Sequence, residues 1–394
     1  MIRVGIDVSK GKSTVCIIKP VDKVIKSPFE IIHKVDELES LVALIKSLDE
    51  EVRVVLEDTG HYHLPVVATL VENGIFVCCV NALRMKKFCS QSLRRAKTDK
   101  IDSIKIANFG LTYWSELIPT LPKGKVYQEL KLLARQYYQT VSLLVKAKVN
   151  LSNLLDQSMP NIQTVLADNK GNSKLTDFVA RYYHYSHILE MGEQGFTTDY
   201  CAWAKEKGYR LNERKAAQIF ALAQNGIPTL PNSVSARIAV SEAVKLIQSI
   251  NESRNTILAQ MQEFCKSLPE YFIIKEMSCI GETLAPRIIA EIGDVRRFKN
   301  KHSLVAYAGI DAPPFQSGTF SAAERHISKR VNSYLRKTSF EIMQSLIQHK
   351  PNDDPVYDFI QKKRSEGKSS KEAMVPVLTS FSAFITVRLW NFIR

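Results

Sequence analysis

Short apolar runs alternate with segments of helical periodicity over the first 120 residues. Residues 2–8 and 13–19 are apolar and rich in β-branched side chains, and Lys10-Gly11-Lys12 between them predicts a hairpin. Residues 26–32 predict a third strand. Leu38, Leu41, Leu44 and Ile45 then recur at helical spacing within 36–48. Val52 to Glu57 is a short apolar run suited to a buried central strand, 61–73 predicts a helix, and Ile75 to Val80 another strand. A further helix carries Asp99 and Asp102. Past residue 120 the helical period takes over. Leu130, Leu133, Tyr137, Val141, Leu144 and Leu151 mark one stripe from Lys125 to Ser158, which Pro160 ends. Leu246, Ile250, Ile257, Met261, Phe264 and Leu268 mark a second from Ala236. Both exceed ordinary globular helices and predict a coiled-coil-like pairing. Residues 160–236, with a break at 169–173 and prolines at 228 and 231, predict shorter helices and loops.

Three strands followed by alternating helix and strand is a ribonuclease-H-like order. In that order Asp7 closes the first strand, Glu57 closes the fourth, and Asp99 and Asp102 share one helical face as an i, i+3 pair. Singly, an Asp at a strand end caps the next turn. Four carboxylates in this order instead suit two Mg²⁺ ions roughly 4 Å apart, hard cations that take oxygen ligands and clamp the oxygens of an in-line phosphoryl displacement.

Charge adds a polyanionic partner. The 394 residues hold 54 Lys and Arg against 40 Asp and Glu, a net charge of +14. One basic cluster, Arg84, Lys86, Lys87, Arg94, Arg95, Lys97 and Lys100, immediately precedes or overlaps the acid pair; a second comprises Arg325, Lys329, Arg330, Arg336 and Lys337. Clusters of this kind are often solvated faces, but two of them beside candidate catalytic residues favour phosphate contacts. The seven cysteines are odd in number and never spaced C-x-x-C, so neither a disulfide framework nor a zinc ribbon is expected. His61 and His63 are read as helix-start or surface residues rather than metal ligands. No apolar stretch is expected to span a bilayer and no signal peptide is evident, so a cytoplasmic protein is expected.

Near the C-terminus, Ile280-Gly281 and Glu291-Ile292-Gly293-Asp294 suggest helices joined by glycine turns that aim backbone N–H groups at a phosphate. Ala306-Tyr307-Ala308-Gly309-Ile310-Asp311 follows, then Gln316-Ser317-Gly318, then Ile327-Ser328-Lys329-Arg330-Val331-Asn332-Ser333-Tyr334-Leu335-Arg336. Ser317, in a loop presented to a basic helix, is either a turn residue or a nucleophile.

Taken with Gly5-Ile6-Asp7-Val8-Ser9-Lys10, Leu56-Glu57-Asp58-Thr59-Gly60 and Lys97-Thr98-Asp99-Lys100-Ile101-Asp102, these motifs make the whole chain resemble a family of bacterial insertion-sequence transposases. Those enzymes carry an Asp-Glu-Asp-Asp tetrad in an N-terminal RuvC-like domain and a serine in a C-terminal transposase domain, and some are bridge-RNA-guided. The resemblance implies an α/β RuvC-like domain over 1–120, a helical, coiled-coil oligomerisation region over 121–268 and a helical serine transposase domain over 269–394. It makes Asp7, Glu57, Asp99 and Asp102 the Mg²⁺ tetrad and Ser317 the serine that attacks DNA. It also implies donor and target DNA, a guide RNA, and a homodimer or homotetramer. Val331 departs from the family's usual glycine. Where that glycine serves a positive φ, Val331 is strained; otherwise it is a neutral helix-start variant. Two other readings compete: a Holliday-junction-type metal-dependent endonuclease in which Ser317 is structural, and a non-catalytic nucleic-acid-binding protein.

Overall fold

The computed structural model describes residues 1–20, 23–58, 60–90, 98–120, 124–166, 173–313, 316–317, 320–321 and 326–393. They form two compact units, Met1–Lys123 and Gly124–Arg394.

The first unit is built on a five-stranded sheet. Its strands are β1 (Ile2–Ser9), β2 (Lys12–Lys19), β3 (Lys23–Ile32), β4 (Val52–Asp58) and β5 (Val77–Asn81), in the order β3-β2-β1-β4-β5. β1, β2 and β3 are antiparallel, whereas β4 and β5 run parallel to β1, each after a helical crossover. Gly11, at a φ of 77°, makes the first hairpin turn. The helices are α1 (Val35–Lys46), α2 (Leu64–Glu72), α3 (Ala82–Cys89) and α4 (Asp99–Thr112). The central strands are apolar on both faces because both are covered. Val4, Ile6, Val54 and Leu56 pack with Leu38, Leu41 and Leu70, while Val55 packs with Ile106 and Phe109 on the other face. Each such fully buried aliphatic side chain contributes about 1.5–3 kcal/mol. This is the expected ribonuclease-H-like order of elements; α3 is an addition.

The second unit is almost wholly helical. α5 (Lys125–Ser158) and α11 (Val234–Lys266) are its long helices and pack along each other. Between them lie α6 (Ile162–Leu166), α7 (Ser173–Arg181), α8 (Tyr185–Glu190), α9 (Gly192–Glu206) and α10 (Glu213–Asn225), around an aromatic core of Phe178, Tyr182, Phe196, Tyr200 and Trp203. The break expected at 169–173 lies, but for Ser173, outside the described residues. After α11 come α12 (Pro269–Lys275), α13 (Leu284–Ile292), α14 (Lys301–Ala308), the two-residue strands β6 (Gln316–Ser317) and β7 (Phe320–Ser321), α15 (Ser333–His349), α16 (Pro355–Ser365) and α17 (Ser370–Ile393). Leu130 and Ala134 of α5 and Met261 and Cys265 of α11 share a second core with these elements.

One expectation is corrected here. Ser370–Leu389 is long and apolar enough to cross a membrane by length and composition. Its Val377, Leu378, Phe381, Ile385 and Leu389 are buried where it packs on α14, α15 and α16, so it is a core helix. His63 takes the helix-start place expected of it, as the N-cap residue of α2, and is buried there with Nε2 3.5 Å from Asp58. All seven cysteines are free.

Candidate active site

Strand register places two of the acids. Side chains alternate across a sheet, and Gly5 and Val55 are direct partners on parallel β1 and β4, both against α4. Two residues further on, Asp7 and Glu57 therefore share that face at the C-terminal ends of adjacent strands. Gly5 is what lets α4 approach. A Cβ there would collide with Ser103 O and Ala107 N of α4 and stand 2.7 Å from Ala107 Cβ. Gly110, further along α4, does the same, and a Cβ there would stand 2.8 Å from Val55 Cγ2. The helix thus runs antiparallel to β1, with its first turn beside the carboxylate ends of the strands.

That first turn carries Asp99 and Asp102, after Thr98 caps Ile101 N at 3.2 Å. Acids there also suit the positive end of the helix. Their charges act on different groups. Burial raises the pKa of the Cys89 thiol on α3; Lys105 lowers it, and Asp102, Glu57 and Asp7 each raise it further. Three carboxylates thus act on one sulfur. Asp99 is exposed and instead acts on Lys12 of β2, whose pKa is raised chiefly by its 2.6 Å bond to Glu30. Asp102 lies 3.7 Å from Lys105. Among the described residues no three acidic, His or Cys side chains converge tightly enough to hold a metal ion. The oxygen donors suit a hard divalent cation, and three of them share one end of the sheet.

Of the basic residues expected here, Arg84 bonds Glu116 at 2.8 Å and lies over the rings of Phe109 and Tyr113. Lys86 and Lys87 are exposed in the last turn of α3. Arg94, Arg95 and Lys97 lie outside the described residues.

In the second unit, Ser317 pairs through its backbone with Phe320 in a two-strand hairpin. The long loop bearing that hairpin closes at a neck. Lys329 N donates to Gly309 O at 3.0 Å, Ser328 N to Asp311 O at 2.8 Å, and Asn332 N to Tyr307 O at 3.0 Å; Ser328 Oγ also bonds the Asp311 carboxylate. Lys329 and Arg330 are exposed and lie in this neck, before α15, rather than on a helix as expected. The neck is conformationally costly: Lys329 has a φ of 51° and Val331 one of 59°. A β-branched residue there is strained, so Val331 does occupy a glycine-type position. Gly309 (φ 65°) is required, since a Cβ would collide with Arg330 O and stand 2.6 Å from Arg330 N. Arg336 is turned inward, with Nη1 2.8 Å from Ala308 O.

A buried polar network holds the neck. Glu291 of α13, 1% exposed, accepts from Asn332 Nδ2 at 2.9 Å and from Arg135 of α5 at 3.1 Å. Asn332 Oδ1 in turn caps Tyr334 N and Leu335 N at the start of α15. The Arg135 guanidinium stacks 3.7 Å from the Tyr334 ring centroid. Glu291 was discoverable as a lone carboxylate in the apolar run Ile288-Ile289-Ala290-Glu291-Ile292.

Family comparison decides what these parts belong to. Residues 4–160 match the IS110-type DEDD transposase model and residues 272–358 the model described as "Transposase IS116/IS110/IS902 family". Together they span more than half of the chain. The chain belongs to the IS110/IS116 transposase family.

The transposase is 21% identical over 302 residues to the insertion element IS110 uncharacterized 43.6 kDa protein of Streptomyces coelicolor, covering 77% of this chain and 73% of that one. It is 22% identical over 372 residues to the IS116 uncharacterized 44.8 kDa protein of Streptomyces clavuligerus, covering 94% and 90%. Among solved structures, Thermus thermophilus RuvC, alone and in complex with a Holliday junction substrate, aligns at 11% identity over 30% of this chain and essentially all of RuvC, with a TM-score of 0.24. A likeness at that score carries no weight; the fold of the transposase's first unit rests on its own sheet order.

Proposed function

We propose that this transposase cuts donor and target DNA through Ser317, holds the strands as phosphoserine links and rejoins them, with its acidic cluster binding two Mg²⁺ ions and a structured RNA choosing the sites. The observation that carries the acidic part is the placement of Asp7 and Glu57 side by side on parallel strands, with Asp102 on a helix that Gly5 admits onto them. Asp7, Glu57 and Asp102 are the principal ligands and Asp99 an outer one, since its charge acts on the β2 side. When bound, the metal supplies Lewis-acid stabilisation of charge on phosphate oxygens. The carboxylates reach that arrangement by side-chain rotation, Asp102 leaving Lys105.

Ser317 supports the second half of the reading through its place on a hairpin within the loop that a basic neck closes. Its Oγ forms a bond to phosphorus as the bond to the leaving strand oxygen breaks; the serine proton passes to a base and the leaving oxygen takes up a proton. In rejoining, a strand hydroxyl attacks the phosphoserine and the serine oxygen departs. One phosphodiester is exchanged for another, so no external energy source is required. The exposed Lys329 and Arg330 supply positive charge where negative charge develops on the phosphoryl oxygens. The 1–120 region then serves the metal chemistry, 121–268 assembly into a dimer or tetramer, and 269–394 the serine chemistry.

Asp7→Asn, Glu57→Gln and Asp102→Asn are each expected to stop strand cleavage in Mg²⁺ while leaving the fold intact. Undiminished cleavage in chelator contradicts the metal assignment. For the RNA, protein purified after exhaustive ribonuclease treatment is expected to lose site-specific recombination of a defined donor and target; retained site choice overturns that part.

A further inference from the structure

Tyr307 lies at the foot of the loop that carries Ser317, with one cation stacked on its ring and the charge of a second acting on its hydroxyl. Arg297, exposed in the turn after α13, places its guanidinium 4.4 Å from the Tyr307 ring centroid and 4.6 Å from that of Phe298. Phe298 meets the Tyr307 ring edge-on at 5.4 Å. Lys131, half-buried on α5, acts on the same hydroxyl. Burial works to raise the pKa of Tyr307. The charges of Arg297 and Lys131, with hydrogen bonds from Arg297 and Asn332, outweigh it and leave the hydroxyl below its ordinary value.

Cations brought together over one half-buried hydroxyl repel unless an anion joins them. The nearby acids are already engaged. Asp294 is gripped by Arg296 through contacts of 2.6–3.0 Å, Glu291 by Arg135 and Asn332, and Glu270 by Tyr127. Among the described residues neither Lys131 nor Arg297 forms an ion pair within 4.0 Å. Stacking on two rings fixes the guanidinium plane and leaves its N–H edge to meet a planar or tetrahedral oxyanion.

We propose that Lys131, Arg297 and the Tyr307 hydroxyl form a binding site for one backbone phosphate of a nucleic acid, next to the neck of the Ser317 loop. The inference rests on the nucleic-acid reading above and adds the place at which one strand is gripped. Asn332 ties the site to the neck through the Tyr307 carbonyl.

The test titrates the full-length protein with a fluorescent DNA duplex and, separately, a fluorescent RNA hairpin, over a series of NaCl concentrations. Lys131→Gln with Arg297→Gln is expected to lower the magnitude of the log Kobs against log [salt] slope by about 0.9, one phosphate contact. Tyr307→Phe keeps both charges, so affinity falls roughly threefold with the slope unchanged. A fall with DNA alone assigns the phosphate to DNA, and a fall with RNA alone to RNA. Should the double variant melt early, Arg297→Lys carries the test, keeping the slope and losing affinity with the fork. Folded variants that match wild type on both probes overturn the site. Wild-type binding without salt dependence overturns the nucleic-acid reading itself.

Discussion

The two regions proposed to carry the chemistry are built in opposite ways. The acids of the first unit sit at the ends of regular elements. β1 and β4 hold Asp7 and Glu57 in register, and α4 brings Asp102 by docking over Gly5. The serine region of the second unit hangs from irregular backbone. Its neck contains two non-glycine residues at positive φ and one obligatory glycine, held by a buried carboxylate. A carboxylate that must meet a cation needs fixed distances, and a sheet edge supplies them at little conformational cost. On the proposed reading the loop admits and then releases a DNA strand, and the strain of its neck is offset by a few strong polar contacts. The same division predicts how each region fails: the first through its packing, the second through its polar network.

Gly5→Val should have the largest effect. Two clashes with α4 backbone leave no rotamer that relieves them, so destabilisation of about 4 kcal/mol or more is expected. A calorimetric melt of the full chain should show the first transition lost while the helical unit still melts; an unchanged melt would break the account of how α4 docks. Glu291→Ala strikes the other region. It leaves the buried Asn332 amide unpaired and removes the partner of the half-buried Arg135, at a cost of about 1–3 kcal/mol, visible as a lower denaturant midpoint. Glu291→Gln should cost less, because the amide oxygen still accepts from Asn332.

Asp102→Asn and Asp99→Asn sharpen the comparison within one helix turn. Cleavage should drop by about 100-fold or more for Asp102 and only several-fold for Asp99. Equal losses would mean that both acids face the same site. Val331→Gly should have the smallest effect and the opposite sign. Releasing a β-branched residue from a φ of 59° should stabilise the second unit by about 1 kcal/mol, read as a raised melting temperature.

Legibility followed the same division. The strands β1 to β5, the helices α1, α2 and α4, and the two long helices were written in periodicity, because each buries a regular face. α17 meets the length and composition of a span, which no stretch was expected to do, because a core helix and a membrane span share composition; only its packing distinguishes them. α3 and the neck carry no period, so neither showed. The Val331 departure did reveal a glycine-type position. The motifs around Glu291, Tyr307 and Gly309 stood out, but their roles depend on contacts between α5, α13 and α15 that are distant in sequence. Gly5 lies in the opening motif, yet its task becomes visible only with α4 laid across it.

The central claim is that acids and serine divide the chemistry, and a denaturation-resistant protein–DNA adduct tests it most directly. Wild-type protein incubated with its donor DNA and Mg²⁺, then denatured and digested, should yield one peptide carrying a nucleotide phosphate on Ser317. Ser317→Ala should give no adduct while still binding DNA. An adduct of undiminished yield in Ser317→Ala, or nucleotide mapped to another residue, would contradict the account.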